Sequence, residues 1–444
     1  MTLELVAGVA AVNVLFLAVG YALLGRPRWR ASWAGVALLA GAGAVGTAVF
    51  VGTIAGLHAT LVASGLLALA IATAGVLAPR LPEPRAPHAR PVGPWVAAVF
   101  GLVAGICSLG VIGGFRSSPW LDDAWGIWLP KGLALRHHGL DERLFVPNGD
   151  YVAFGVPDYP LWWSVVTSLD VQAVGSVDVR AMCAQLALLT AAFVGAAARL
   201  LWGHVRPWVL AGALLLLVVS PELWRQVQGG VADLPLALYL ALGVLAAALW
   251  LRTRAPFHLV LAAFCAAVAL QIKTEALPEV AALAAVGTFF ARRLSLTALG
   301  LAAALPWLAW RYTHEVPSRV GDLDLSRLER IPRAAGAVAE HVFDPTEWLV
   351  LVPAAIVLAF LARRAAALLV PAVVAVVVVT AYWIDRDEIG YVLATSAYRV
   401  VDPIVLTAAV LVPLLAETFL QQREPLREDR RLVRDPGDDG RVVQ

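Results

Sequence analysis

Charged residues are scarce in this chain of 444 residues, since Asp, Glu, Lys and Arg together make up 15% of it. Soluble globular domains average about 25% charged residues, whereas hydrophobic residues here reach 60% and the mean hydropathy is +0.77. This composition excludes an ordinary soluble domain. It predicts an all-α polytopic membrane protein, because the long Ala- and Leu-rich runs lack the period-two alternation of an outer-membrane barrel.

Cysteine and lysine are also rare. Cys107, Cys183 and Cys265 lie singly within apolar runs, which excludes a disulfide framework and a zinc site of the usual spacing. No segment has the basic and aromatic pattern of nucleic-acid binding, so no nucleic-acid partner is predicted. Lysine occurs only as Lys131 and Lys273, while arginine supplies all other fixed positive charge.

Apolar runs recur along the chain, and each approaches the roughly 20 helical residues that cross a hydrocarbon core. They predict about thirteen transmembrane helices. The approximate spans are 3–24, 32–56, 59–78, 94–114, 181–201, 207–221, 232–251, 257–272, 276–291, 294–310, 347–362, 366–384 and 403–420.

Arginines mark alternate connections between these runs, and cytoplasmic loops of membrane proteins are enriched in Lys and Arg. Acidic residues crowd into the opposite connections, 115–180, 221–233, 311–346 and 385–402. We therefore expect a multi-pass protein of the plasma membrane with its N-terminus outside and its C-terminus cytoplasmic. The basic connections contain Arg26, Arg28, Arg30, Arg80, Arg85, Arg90, Arg199, Arg206, Arg252, Arg254, Arg292, Arg293, Arg363 and Arg364.

These patterns divide the chain into six parts. Transmembrane helices are expected in 1–114, 181–310 and 347–420. Residues 115–180 form an extracytoplasmic loop in which aromatic and polar residues alternate, which indicates interfacial helices. A second extracytoplasmic loop covers 311–346. The tail, 421–444, is charged and poor in apolar residues, which is typical of disorder.

The stretch SSPWLDDAWGIWLPKG, residues 117–132, places Asp122 and Asp123 shortly before Lys131 on the predicted outer side. The other lysine, Lys273, is followed by Glu275 at the outer end of a predicted crossing. Carboxylates beside cations at a membrane's outer edge suit one task. The cations hold a lipid-linked phosphate while a carboxylate accepts a proton from an attacking hydroxyl.

Five short motifs carry a resemblance to a known family. LDDAWGIWLPKG resembles the first outer loop of the GT-C superfamily of integral-membrane glycosyltransferases, in its bacterial branch that uses polyprenyl-phosphate sugars. The later motifs are similar to the family's and occur in its order over roughly 115–405. They are DYPL at 158–161, GGVADLPLALYLALG at 229–243, KTE at 273–275 and TSAYR at 395–399.

The resemblance implies a GT-C-like bundle that moves a single sugar, with inversion, from a polyprenyl-phosphate donor to a lipid, glycan or protein hydroxyl at the extracytoplasmic face. Asp123 then takes the catalytic position as general base, with Asp122 as the second catalytic candidate. Lys131, Lys273 and Arg399 are the candidates for the donor phosphate. Candidates for further substrate contacts are Trp125, Trp128, Tyr159, Asp233 and Glu275.

No cofactor is predicted from the sequence. A divalent cation at the aspartate pair is left open, although no third or fourth ligand at suitable spacing is visible. Two other functions also stay open. One is a transporter or lipid-carrier flippase, which would favour inverted repeats and charges near the bilayer midplane. The other is an envelope-glycan polymerase or ligase of a different membrane fold.

Overall fold

The computed structural model describes residues 2–25, 28–79, 81–82, 91–145, 156–291, 301–316, 324–385 and 387–432. Within these ranges the regular secondary structure is helical. The Ala- and Leu-rich runs account for this, because Ala and Leu lose little conformational freedom in a helix. Threonine side chains cap the first and third helices, where Thr2 accepts from Leu5 N and Thr60 from Ala63 N.

Proline begins several helices, since its missing N–H is not needed in a first turn. Pro94, Pro207 and Pro256 take this role. The first nine helices are α1 Leu3–Leu24, α2 Ala34–Ile54, α3 Leu61–Leu77, α4 Pro94–Arg116, α5 Leu129–His137, α6 Glu142–Phe145, α7 Trp162–Val174, α8 Arg180–Leu201 and α9 Pro207–Val218. They are followed by α10 Pro221–Gly229, α11 Asp233–Thr253, α12 Pro256–Ala269, α13 Ala276–Ala291, α14 Leu305–Thr313, α15 Arg330–Phe343, α16 Leu351–Leu361, α17 Leu369–Ile384, α18 Ile389–Val400 and α19 Asp402–Leu432.

Seven helical spans in the described part of the chain are long and apolar enough to cross a membrane, which makes this a polytopic helical membrane protein. They are Leu3–Leu24, Ala31–Ile54, Pro94–Arg116, Arg180–Leu201, Asp233–Thr253, Ala365–Ile384 and Ile389–Arg423. An eighth is counted if α9 and α10, which meet at a 50° bend, form one broken span. The bend falls at Pro221, which cannot continue the hydrogen-bond ladder of α9.

The expected thirteen crossings are not confirmed by this count. Four further apolar helices are shorter, namely Leu61–Leu77, Pro256–Ala269, Ala276–Ala285 and Leu351–Leu361. The first part of the expected crossing 294–310, residues 294–300, lies outside the described residues, and α14 begins within the rest. The loop expected at 385–402 contains α18, whose first turn is capped where Glu388 accepts from Gly390 N and Tyr391 N. Helix α19 runs past residue 421 to Leu432, and 433–444 lie outside the described residues.

Close packing of small residues joins the first two crossings. A methyl group at Gly20 would lie 1.7 Å from the carbonyl oxygen of Ala37, and one at Gly41 would lie 1.7 Å from that of Phe16. Such backbone contact is typical of helices in lipid, where close van der Waals packing replaces the hydrophobic effect. Helices α8 and α11 are mostly buried in the interior, and α11 carries one of its polar residues into the site described next.

Candidate functional site

A cavity of about 870 Å³ lies among the ends of α11 to α14, α17 and α18, with one wall formed by residues 120–123. Its charged residues all lie at helix ends or in connecting segments rather than in the middle of a crossing. Because consecutive antiparallel crossings alternate in direction, these ends share one side of the bundle. The charged residues are Asp122, Asp123, Asp158, Asp233, Lys273, Glu275, Glu279, Arg311, Asp385 and Arg399.

Asp123 forms an ion pair with Arg399 across this cavity. The distance between Asp123 Oδ2 and Arg399 Nη2 is 2.6 Å, and the two side chains are 32% and 12% exposed. Asp123 directly precedes a π-helical turn, Ala124–Trp128, an irregularity that often marks functional sites. Arg399 lies in the last turn of α18. The pair therefore joins the first and the last of the sequence motifs.

Lys273 lies in the turn between α12 and α13 and contacts two carboxylates. Its Nζ donates to Asp233 Oδ1 at 2.9 Å, with both side chains buried, and is 3.6 Å from Glu275 Oε1. The hydroxyl of Tyr159 donates to the same Glu275 oxygen at 2.7 Å. The structure thus brings together four of the predicted site residues in one hydrogen-bonded group on the cavity wall.

A second buried acid, Asp158, was quoted in a motif but not predicted as a site residue. Its carboxylate is 3.7 Å from Nη2 of Arg311, and its backbone carbonyl accepts from Trp307 Nε1 at 3.0 Å. Arg311 was also missed as a site residue, although it was counted in the second outer loop. The available signal was the WLAWRY pattern, residues 307–312, in which aromatic residues surround an arginine near a predicted outer helix end.

Lys131 does not lie on the cavity, contrary to its expected place beside the donor. It is fully buried and donates to the carbonyl of Val156. Burial lowers the pKa of Lys131 from its ordinary 10.5 to about 7, against the opposing charge of Asp158. Trp128 is likewise buried, and its ring stacks on Tyr159 with centroids 5.6 Å apart. Both residues therefore support the loop that carries Asp158 and Tyr159.

The two remaining predicted residues of this stretch, Asp122 and Trp125, lie in different places. Asp122 is exposed and lines the cavity. Trp125 is half-exposed and lies outside the cavity, where its Nε1 donates to the carbonyl of Pro119 at 2.9 Å. Trp120, which the sequence analysis did not select, lines the cavity and stacks on Tyr398 with centroids 6.0 Å apart.

One wall of the cavity is mostly apolar. Helix α17 contributes most of it, together with Leu277 and Leu308. Val376 both lines the cavity and is 63% exposed, which leaves its side chain accessible to a bound molecule. The α17 residues on this wall are Val376, Val377, Val378, Thr380, Ala381, Tyr382 and Ile384.

The cavity therefore combines three cationic side chains, each paired with a carboxylate, with a mostly apolar wall. In the described part of the chain, no three or more His, Cys, Asp or Glu side chains are grouped to hold a metal ion. Comparison with protein-family models, curated proteins and solved structures finds no match.

Proposed function

We propose that this chain is a membrane glycosyltransferase of GT-C type, which moves a single sugar from a polyprenyl-phosphate donor to an acceptor hydroxyl with inversion. The observation that carries the proposal is the ion pair between Asp123 and Arg399 in a cavity with both charged residues and a mostly apolar wall. Five sequence motifs that resemble the family's contribute residues to this one cavity, which is the second support.

The donor phosphate binds by competition with carboxylates. Arg399, Lys273 and Arg311 are each paired with an acid of the cavity wall. When the phosphate takes over the guanidinium of Arg399, the carboxylate of Asp123 loses its 2.6 Å partner and can accept a hydrogen bond from the acceptor hydroxyl instead. The polyprenyl chain lies along the apolar wall of α17, where burial of its methylene groups supplies affinity.

The reaction is a single displacement at the anomeric carbon. The acceptor oxygen bonds to that carbon while the bond between the carbon and the phosphate oxygen breaks. The acceptor proton goes to Asp123, and the bonding electron pair leaves with the polyprenyl phosphate, whose extra negative charge is stabilised by Arg399 and Lys273. Attack from the face opposite the leaving group inverts the configuration.

The finer topology belongs to the same proposal. Thirteen crossings of the plasma membrane would place the cavity on the extracytoplasmic side, with the arginine-rich connections inside. The bent pair α9 and α10 and the four short apolar helices supply five additional segments in the described part of the chain, and the expected crossing 294–310, which lies partly outside the described residues, would complete the count. A transporter is less well supported, because the charged cavity residues lie at helix ends rather than near the middle of crossings.

The test is mass spectrometry of envelope glycolipids and glycans from a deletion strain that carries wild type, Asp123→Asn or Asp344→Asn. Loss of a general base lowers rates by about 10²–10⁴-fold. Wild type and Asp344→Asn should restore the missing sugar and remove accumulated donor, whereas Asp123→Asn should do neither at equal expression. Asp344 is a matched control, because it lies outside the cavity and an asparagine can still accept from Thr346. Full restoration by Asp123→Asn would refute the proposal.

A further inference from the structure

Two tryptophans line the cavity, and only one of them presents an accessible ring to it. Trp120 is 46% exposed, whereas Trp307 is buried and packs against Trp310 with centroids 5.3 Å apart. Trp307 also uses its Nε1 to hold the Asp158 carbonyl, so its surroundings explain its presence. Trp120 differs in that nearly half of it stays exposed although neighbouring groups hold it in place.

Trp120 is held in place by helix α10. Its backbone N–H donates to the carbonyl of Gln228 at 3.3 Å, and its Nε1 donates to the carbonyl of Arg225 at 3.4 Å. Tyr398 stacks against it at an interplanar angle of 23°. The two rings come from distant parts of the sequence. Together they form a preorganised aromatic surface beside the Asp123 and Arg399 pair.

A fixed polar group borders this aromatic surface. The guanidinium of Arg225 lies 4.7 Å from the Tyr398 ring centroid and 5.6 Å from that of Trp120. Its orientation is fixed by Glu222, whose Oε2 is 2.6 Å from Arg225 Nε, while the Arg225 side chain remains 45% exposed. The cavity lining thus includes a flat aromatic face, and an accessible fork of N–H donors lies next to that face, although Arg225 itself does not line the cavity.

This combination is the surface that a sugar ring requires. A pyranose presents C–H groups on its face, which pack on aromatic rings, and hydroxyls at its edge, which need polar partners. A lipid tail would favour the apolar wall of α17, which lacks charged residues apart from the terminal Asp385. Trp120 is also only three residues from Asp123, so the two Cα atoms are at most about 11 Å apart.

We infer that Trp120, Tyr398 and Arg225 form a binding subsite for a saccharide acceptor, whose ring packs on Trp120 while one hydroxyl points to Asp123. The inference rests on the proposed function for the role of the bound sugar as acceptor. It narrows the acceptor class to a glycan or a glycolipid headgroup. Binding itself needs neither donor nor turnover, and it can therefore be measured separately.

The experiment is saturation-transfer difference NMR on the full chain in lipid nanodiscs, without alkyl glycoside detergents, whose headgroups would occupy a sugar site. The probes are methyl mannopyranoside, methyl glucopyranoside, methyl galactopyranoside and methyl arabinofuranoside. At least one pyranoside should bind wild type. Its Kd should rise at least tenfold in Trp120→Ala and change by less than threefold in Trp120→Phe, which keeps an aromatic face.

Trp125→Ala is the matched control, because Trp125 is as exposed as Trp120, at 48%, and also donates to a backbone carbonyl, yet lies outside the cavity. Its affinity for the glycoside should equal that of wild type. Equal binding by Trp120→Ala and wild type, or no binding of any pyranoside to wild type, would overturn the subsite.

The outcome is separable from that of the proposed function. If Asp123→Asn abolishes sugar transfer in cells while Trp120→Ala binds glycosides normally, the transferase stands and the acceptor contacts another surface, such as one suited to a peptide. If glycoside binding depends on Trp120 but Asp123→Asn restores the envelope sugar, the subsite stands in a protein with another activity.

Discussion

The two lysines of this chain both lie near one tyrosine ring, in different electrostatic surroundings. Lys273 Nζ is 5.1 Å from the Tyr159 ring centroid and has two carboxylates within 3.6 Å. Lys131 Nζ is 5.9 Å from the same ring and donates to a backbone carbonyl in a fully buried position. The comparison shows that a buried lysine's role depends on its partner. Carboxylates keep Lys273 charged on the cavity wall, whereas Lys131 supports the loop behind that wall.

The largest loss of stability is expected when the ion pair between Lys273 and Asp233 is broken. Lys273→Met leaves Asp233 buried without its 2.9 Å partner, and removing one member of a buried ion pair costs about 3–5 kcal/mol. Lys131→Met should cost less, about 0.5–1.5 kcal/mol, because it removes one hydrogen bond to the Val156 carbonyl, which still accepts from Tyr159 N at 3.4 Å. Thermal unfolding in the same nanodiscs would rank the two variants.

The double variant Lys273→Met with Asp233→Asn is the control for that ranking. It removes both charges, so most of the lost stability should return even though transfer stays impaired. A double variant as unstable as Lys273→Met alone would mean that the loss comes from packing, and the contrast between the two lysines would then fail.

The second prediction concerns pH and Lys131. Burial lowers the pKa of Lys131 to about 7 in the folded protein, against 10.5 ordinarily. Between these values the unfolded chain binds a proton that the folded chain does not, so stability rises with pH by about 1.4 kcal/mol per unit. Below pH 7 both states are protonated, and this contribution is flat.

Thermal unfolding of wild type and Lys131→Met between pH 6 and 9 measures this contribution by difference. The melting temperature of wild type should rise relative to that of the variant above pH 7 and run parallel to it below. Parallel curves over the whole range would show that Lys131 keeps its ordinary proton affinity and that its burial does not distinguish it from Lys273.

The sequence could predict much of the site because its polar residues interrupt otherwise apolar runs. Five of the predicted residues lie just before or after such runs, and antiparallel crossings bring the ends of the runs to one side of the bundle. These residues are Asp123, Tyr159, Asp233, Lys273 and Glu275. The all-helical fold class could also be predicted, from the long Ala- and Leu-rich runs. The number of crossings stays a prediction, because several apolar runs form helices shorter than a full span, a feature that depends on packing rather than hydropathy.

The place of Lys131 could not be read from the sequence. Helix geometry does not account for it. An α-helical continuation from Asp123 would place the two residues about 80° apart, since each residue turns the helix by about 100°, and the extra residue of the π-helical turn at Ala124–Trp128 makes this angle smaller. Lys131 instead donates to Val156, and only the tertiary fold supplies this contact. Arg311 and Trp120 were missed although WLAWRY marks the first and Asp123 lies three residues from the second.

The smallest loss of stability is expected from Glu275, which lies at the edge of the hydrogen-bonded residues around Lys273. Glu275 is 31% exposed and lies farther from Lys273 than Asp233 does, at 3.6 Å. Glu275→Gln removes a partly solvated charge while keeping an acceptor for the Tyr159 hydroxyl. It should therefore lower stability by about 1 kcal/mol or less. Tyr159→Phe removes the same hydrogen bond from the other side, and the double variant should cost no more than about 1 kcal/mol beyond either single change. A loss from Glu275→Gln as large as that from Lys273→Met would mean that Glu275, rather than Asp233, is the carboxylate that holds Lys273 in the cavity wall.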